Sequence, residues 1–270
     1  MIRMSNALCI AACVIAQPAF ARIAAAQTAP SFTGTWKGDI TSAKLPAKPD
    51  VFELKAGRFT CSSCVPTVSV KADGKPQAAS GHDYWDHIAV KAVDARSIFY
   101  SYIRAGKVTS SSTDTVSADG KTLTSEWTST DNVKGLTQSG TQIETRLAPA
   151  APGAHAASGS WRQAEIKQVT DSNLLMVMQD SGDAFTLTQP SGETYTAKFD
   201  GPAVPFVGDP GKTMIRVRRV GANAIEETDM RNGKVVYVYT MTLGPDGKSM
   251  TVAIDNRQQG TKSQFVAYRQ

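Results

Sequence analysis

The feature that most constrains this chain is that it repeats itself. Residues 88–124, IAVKAVDARSIFYSYIRAGKVTSSSTDTVSADGKTLT, lie without a gap over residues 215–251, IRVRRVGANAIEETDMRNGKVVYVYTMTLGPDGKSMT, with about fifteen identities. Both copies read strand, turn, strand, GKV, strand, DGK, strand. Upstream, GTW at 34–36 matches GSW at 159–161, and ETRLA at 144–148 answers VAYRQ at 266–270. The chain is therefore a duplication, with units at 31–148 and 158–270. The segment between them, 149–157, is rich in Ala, Pro and Gly without apolar period and reads as a linker. Repeats of this length form a pair of domains, since solenoid periods run about 20–50 residues.

Within each unit the signals are those of β-structure. VVYVYTMTL at 235–243 is rich in β-branched and aromatic residues, and runs such as FTLT, TYTAKF and KSQFVAY recur at short spacing. Asn-Gly at 232–233 and Asp-Gly at 73–74, 119–120 and 246–247 suit tight hairpins, because glycine accepts positive φ. No long amphipathic helix follows the N-terminal segment. The expected fold is all-β: two tandem small antiparallel barrels, each of about eight or nine strands.

The N-terminus indicates the compartment. Arg3 precedes the apolar run ALCIAACVIA at 7–16, and small-residue cleavage sites end at Ala21 or Ala26. Residues 1–26 have the layout of a secretory signal peptide, and the run is too short to span a bilayer. Ile10–Cys13 also has a lipoprotein-box pattern, but more apolar sequence follows it. The protein is expected to be exported, to a periplasm or beyond. Removing 1–26 takes Cys9, Cys13, Arg3 and Arg22 away, and lowers the net charge from +5 to about +3. The remaining basic residues, RVRR at 216–219 among them, alternate as a solvated strand face does, so no nucleic-acid partner is expected. Nor does any later segment offer the apolar length of a transmembrane helix.

FTGTWKGD at 32–39 resembles the Gly-x-Trp opening of the lipocalin, fatty-acid-binding and avidin-like up-and-down barrels. The resemblance extends to lipocalin-like domains of exported bacterial proteins of uncharacterised function. It implies a Trp on the first strand at the closed end, crossed by a basic residue from the last strand. Within each repeat, that pairs Trp36 with Arg146 and Trp161 with Arg269, as structural contacts.

Cys61 and Cys64, in TCSSCVP, are the only cysteines of the mature chain. In an oxidising compartment they are expected to form a local disulfide that fixes a turn. Two other readings stay open. A redox pair would need a thiolate activated at a helix N-terminus, whereas here the sequence leads into an alternating strand. A zinc site would add His82 and His87 from GHDYWDH, but an extended segment would point the two rings to opposite faces. The segment His82, Asp83, Tyr84, Trp85, Asp86, His87 is a tentative binding loop at a barrel mouth, and Asp200 and Asp209 read as turn residues. No nucleophile elbow or phosphate loop occurs, so no catalytic residues, metal or cofactor are expected.

The functional expectation is an exported, non-catalytic binding protein for a small apolar molecule or an envelope partner. A structural module with filled barrels is the alternative, and a thiol–disulfide redox protein using Cys61 and Cys64 the second alternative.

Overall fold

The computed structural model describes residues 31–270, so the expected signal segment 1–26 lies outside the described residues. The first half holds β1 (Gly34–Lys44), β2 (Asp50–Lys55), β3 (Arg58–Cys61), β4 (Val68–Lys71) and β5 (Gln77–Ala78). It continues with β6 (His87–Ala92), β7 (Ser97–Arg104), β8 (Lys107–Val116), β9 (Thr122–Ser129) and β10 (Gln138–Ala148). The second half repeats the series from β11 (Gly159–Val169) through β12 (Leu175–Asp180), β13 (Ala184–Thr188), β14 (Thr194–Lys198) and β15 (Val204–Pro205). It closes with β16 (Met214–Gly221), β17 (Ala224–Arg231), β18 (Lys234–Leu243), β19 (Ser249–Asn256) and β20 (Thr261–Arg269). All strand pairs within the two sheets are antiparallel, and each sheet curls into a nearly closed up-and-down barrel, as the hairpin spacing requires.

The barrels do not follow the repeat boundaries. One sheet runs β4-β3-β2-β11-β10-β9-β8-β7-β6-β5, and the other β14-β13-β12-β1-β20-β19-β18-β17-β16-β15. Each half has given its first strand to the other. The units expected at 31–148 and 158–270 are thus repeats in sequence, but each barrel is built from both. We call them the N-terminal barrel (β2 to β11) and the C-terminal barrel (β12 to β20, with β1).

The segment between the repeats explains the exchange. It is docked rather than a free tether: Ala154 bridges Lys55, His155 N donates to Leu54 O at 2.8 Å, and Leu54 N donates to Ser158 Oγ at 2.8 Å. Ala157 and Ser158 are buried against the N-terminal barrel. β11 is therefore delivered beside β10, its near neighbour in sequence, and fills the place that β1 would otherwise take. β1 takes the matching place between β12 and β20.

The exchange also re-pairs the closed ends. Arg269 lies over Trp36 at 4.4 Å from the ring centroid, and Arg146 over Trp161 at 3.9 Å. The expected pairs, Trp36 with Arg146 and Trp161 with Arg269, are thereby corrected. First strand still meets last strand, but in the sheet rather than in the repeat. Both indoles are fully buried, and each donates to a backbone carbonyl four residues upstream, Phe32 O at 2.8 Å and Ala157 O at 2.9 Å. The motif glycines have a steric reason. Gly34 and Gly159 sit at φ +144° and +140°, and a Cβ there would meet the guanidinium of Arg269 or Arg146.

Above each Trp the closed half is solid. Phe32, Met178, Phe185, Ile215, Ile225 and Leu243 fill the C-terminal barrel; Phe59, Val90, Ile98, Val116 and Leu123 fill the N-terminal one. Two loops of the N-terminal barrel clamp the rim of the other. Val133 N donates to Glu193 Oε1 at 3.1 Å and Lys134 N to Ser191 O at 3.1 Å, while the 82–87 segment reaches Arg231.

Candidate functional site

The open halves of the barrels are where the fill stops. On the C-terminal barrel, β1 leaves the β20 ladder between Asp39 and Lys44. Asp39 holds the departing turn through Thr41 N at 2.9 Å, and Ser42 Oγ accepts from Val266 N at 2.8 Å. β11 crosses this gap on its way between barrels. Together they enclose a cavity of about 310 Å³ whose walls include Ile40, Leu45, Ile166, Leu174, Ile254 and Phe265. Its exposed surface is mostly apolar although Asp39, Lys44, Gln163 and Asn173 also line it, and its volume lies at the lower end of small-molecule sites.

The mouths themselves are polar. The burial pattern of β17 alternates, so Ile225, Glu227, Asp229 and Arg231 all face inward. Glu227 and Asp229 stand two residues apart on this face, and Tyr195 Oη on β14 donates to Glu227. Burial raises the Glu227 carboxyl, and burial together with the Glu227 charge pushes Asp229 up to about 9. Asp229 lines a cavity of about 320 Å³ with Tyr84, Tyr237, Tyr239 and Arg231. In the N-terminal barrel the acids come from other strands: burial pushes Asp114 on β8 up to about 6. Burial, with the Asp50 and Asp114 charges, pushes Glu144 on β10 up to about 7. A mouth cavity of about 500 Å³ there is lined by Trp85, Tyr102, Trp127 and a row of serines. The two mouth cavities share Tyr84 and Asp131 in their walls.

The residues singled out from sequence divide among several places. Cys61 and Cys64 form a disulfide. It closes the turn between β3 and β4 rather than a helix N-terminus, and Ser63 Oγ ties that turn to Val51 N at 2.9 Å. Both sulfurs are thereby withdrawn from any set with His82 and His87. The HDYWDH segment does not converge on one point. His82 stacks on Trp85, which packs edge-on to Tyr102. Asp83 lies 3.2 Å from Arg231 Nη1, and Tyr84 Oη accepts from Arg231 Nη2. Asp86 and His87 pair at 2.7 Å on the outer surface. The tentative binding loop is thus chiefly a clamp between barrels, contributing Tyr84 and Trp85 to the mouths.

Asp209 holds a turn, accepting from Thr213 N at 2.9 Å, and it also borders the acidic mouth. Sequence reasoning missed Glu227, Asp229, Tyr195, Tyr237, Tyr239, Asp114 and Glu144. The signal was the alternation in AIEETDMR, which puts two acids on the same face as Ile225. Among the described residues, no helix is long and apolar enough to cross a membrane, and no group of three His, Cys, Asp or Glu is placed to hold a metal ion. The sequence matches no protein-family model, and neither a curated protein nor a solved structure matches the chain.

Proposed function

We propose that the protein is exported and acts as a non-catalytic binding protein for a small apolar molecule, taken up where β1 and β11 cross. The observation that carries this reading is the 310 Å³, mostly apolar cavity on the open half of the C-terminal barrel, whose closed half is solid. Its walls come from both halves of the chain, so the strand exchange builds it. The signal-like N-terminus supports export, and the Cys61–Cys64 disulfide suits an oxidising compartment.

A chain of six to eight carbons fits the volume. At about 0.8 kcal/mol per buried CH₂, such a ligand gains about 5–6 kcal/mol, a dissociation constant on the order of 0.1 mM. Calorimetric titration of the protein with 1-octanol is expected to show one site in that range. Ile166→Asp, which puts a charge on the cavity wall, should weaken it at least tenfold. An Ile166→Asp protein that binds octanol as tightly as the parent, or a parent that does not bind it at all, would refute the reading.

A further inference from the structure

We infer that the mouth of the C-terminal barrel is a second site, one that takes a small organic ammonium, with the nitrogen at Asp229 and the alkyl part against Tyr237 and Tyr239. The inference starts from a polar atom without a partner. Asp229 is 8 % exposed, and its Oδ1 makes no hydrogen bond although it belongs to the cavity wall. A buried acceptor left open in this way is costly unless a donor arrives from outside.

The cations nearby are engaged elsewhere, and what the empty site offers Asp229 is the proton it shares with Glu227, which an incoming ammonium replaces. Arg231 spends its guanidinium on Thr213 Oγ1 at 2.9 Å, on Asp83 and on Tyr84. Tyr195 donates to Glu227, and Arg104 is paired with Asp131 through Nη2. The other acids of the rim are satisfied: Glu193 by Ser191 Oγ and Val133 N, and Asp209 by Thr213. The acids around the cavity thus outnumber the cations, and the surplus falls on Asp229.

The chemistry of the wall selects the ligand. Tyr237 and Tyr239 stack with centroids 5.8 Å apart beside the open carboxyl oxygen. Aromatic faces next to a carboxylate attract an alkylammonium through the ring quadrupole and give its carbons an apolar seat. A neutral alcohol could donate to Oδ1 but would lack the first attraction, and a carboxylate would be repelled. A cavity of about 320 Å³ accommodates an amine of a few carbons.

Binding must also be linked to protons. The groups facing Asp229 or lining its cavity are Glu227 and Arg231 on its own strand, Tyr237 and Tyr239 on β18, Tyr195 on β14, Glu193 and Asp209 from the loops before β14 and β16, and Tyr84, Asp83 and Asp131 from the N-terminal barrel. In the empty site, burial and Glu227 keep the proton on Asp229 up to about pH 9. An alkylammonium, like lysine, stays charged to about pH 10.4. Its arrival displaces the Asp229 proton, so affinity should rise with pH by up to about tenfold per unit below pH 9.

The test is calorimetry on the whole protein with propylammonium, 1-propanol and propionate at constant ionic strength, at pH 6.5, 7.5 and 8.5. Expected are at least tenfold tighter binding of propylammonium than of propanol, no binding of propionate, and uptake of a proton by the buffer with each amine bound. Asp229→Asn should cut the amine affinity at least tenfold and reduce its pH dependence, while a neutral amide in place of a neutral carboxyl leaves the fold intact. Equal affinity for propylammonium and propanol in the parent protein, a comparison that needs no variant, would overturn the proposal. So would undiminished amine binding by a folded Asp229→Asn protein, or no amine binding by the parent.

Discussion

The two barrels share a closed end and differ at the mouth. Both keep Gly-x-Trp, the buried indole, and the Arg that crosses it and donates to nearby carbonyls. At the mouth, Tyr100, Tyr102 and Arg104 on β7 stand where β17 has Glu227, Asp229 and Arg231. Across the ladder Tyr100 and Tyr102 face Ser112 and Ser110, whereas Glu227 and Asp229 face Tyr239 and Tyr237. Tyrosine and acid have thus traded strands: one barrel presents tyrosines on β7 with acids on β8 and β10, the other acids on β17 with tyrosines on β18. The packed end allows few residues, because each fills a fixed volume against backbone. The mouth lies next to open volume and can change its chemistry without disturbing the closure.

The largest expected effect comes from cutting the molecule between the repeats. If the barrels were independent, residues 158–270 would fold alone as a monomer. With the strands exchanged, that fragment lacks β1, and its own β11 has no β10 beside it. Because β11 carries the same Gly-x-Trp edge as β1, the fragment is expected to pair with a second copy, each lending β11 to the other. Sedimentation equilibrium should show a dimer. A folded monomer of 158–270 would mean that β11 closes its own barrel once the contacts of His155 and Ser158 with Leu54 are gone.

The duplication, the all-β class and the Gly-x-Trp ends were legible because they depend on local pattern: period-two alternation, turn dipeptides and a short motif. The disulfide was legible from the spacing of Cys61 and Cys64 and the export expected from the N-terminal pattern. The exchange was not, because β1 and β11 present the same edge, and either would complete either barrel. What decides between them is the docking of His155 and Ser158 on Leu54, contacts about a hundred residues apart with no signature in composition. The acidic mouth was hidden for a different reason. In AIEETDMR both faces of the strand carry acids, Glu226 on one and Glu227 with Asp229 on the other, so alternation alone does not say which face is wet.

The mouths should also differ in how stability responds to pH. Each buried acid keeps its proton in the folded protein above the pH at which the unfolded chain loses it. The folded state therefore binds more protons over that window, and stability falls as pH rises through it. For Asp114 and Glu144 the window runs from about pH 4 to about 6 and 7, and for Asp229 it extends to about 9. Because each barrel contains a strand from the other half, urea should unfold both in one transition. Stability from that transition is expected to drop by on the order of several kcal/mol between pH 5 and 9. In Asp229→Asn the decline above pH 7 should be smaller, and in Asp114→Asn its early part should shrink. A parent stability flat from pH 5 to 9 would show that these carboxyls are not buried as described.

The smallest effect discriminates most finely between the two ways of joining strands. Arg269 crosses Trp36, and Arg146 crosses Trp161, so each contact joins residues from opposite repeats. A double-mutant cycle with Trp36→Phe and Arg269→Met should return a coupling of about 0.5–2 kcal/mol, the range of a desolvated cation–π pair. The cycle of Trp36→Phe with Arg146→Met, the pair that a barrel made of one repeat would contain, should be additive to within about 0.5 kcal/mol. Coupling in the second cycle and none in the first would mean that each repeat keeps its own first strand. The cavity between β1 and β11 would then lose its walls, because residues from opposite halves meet there only through the exchange. A difference of about 1 kcal/mol at the closed ends thus decides whether the apolar site at the crossing exists.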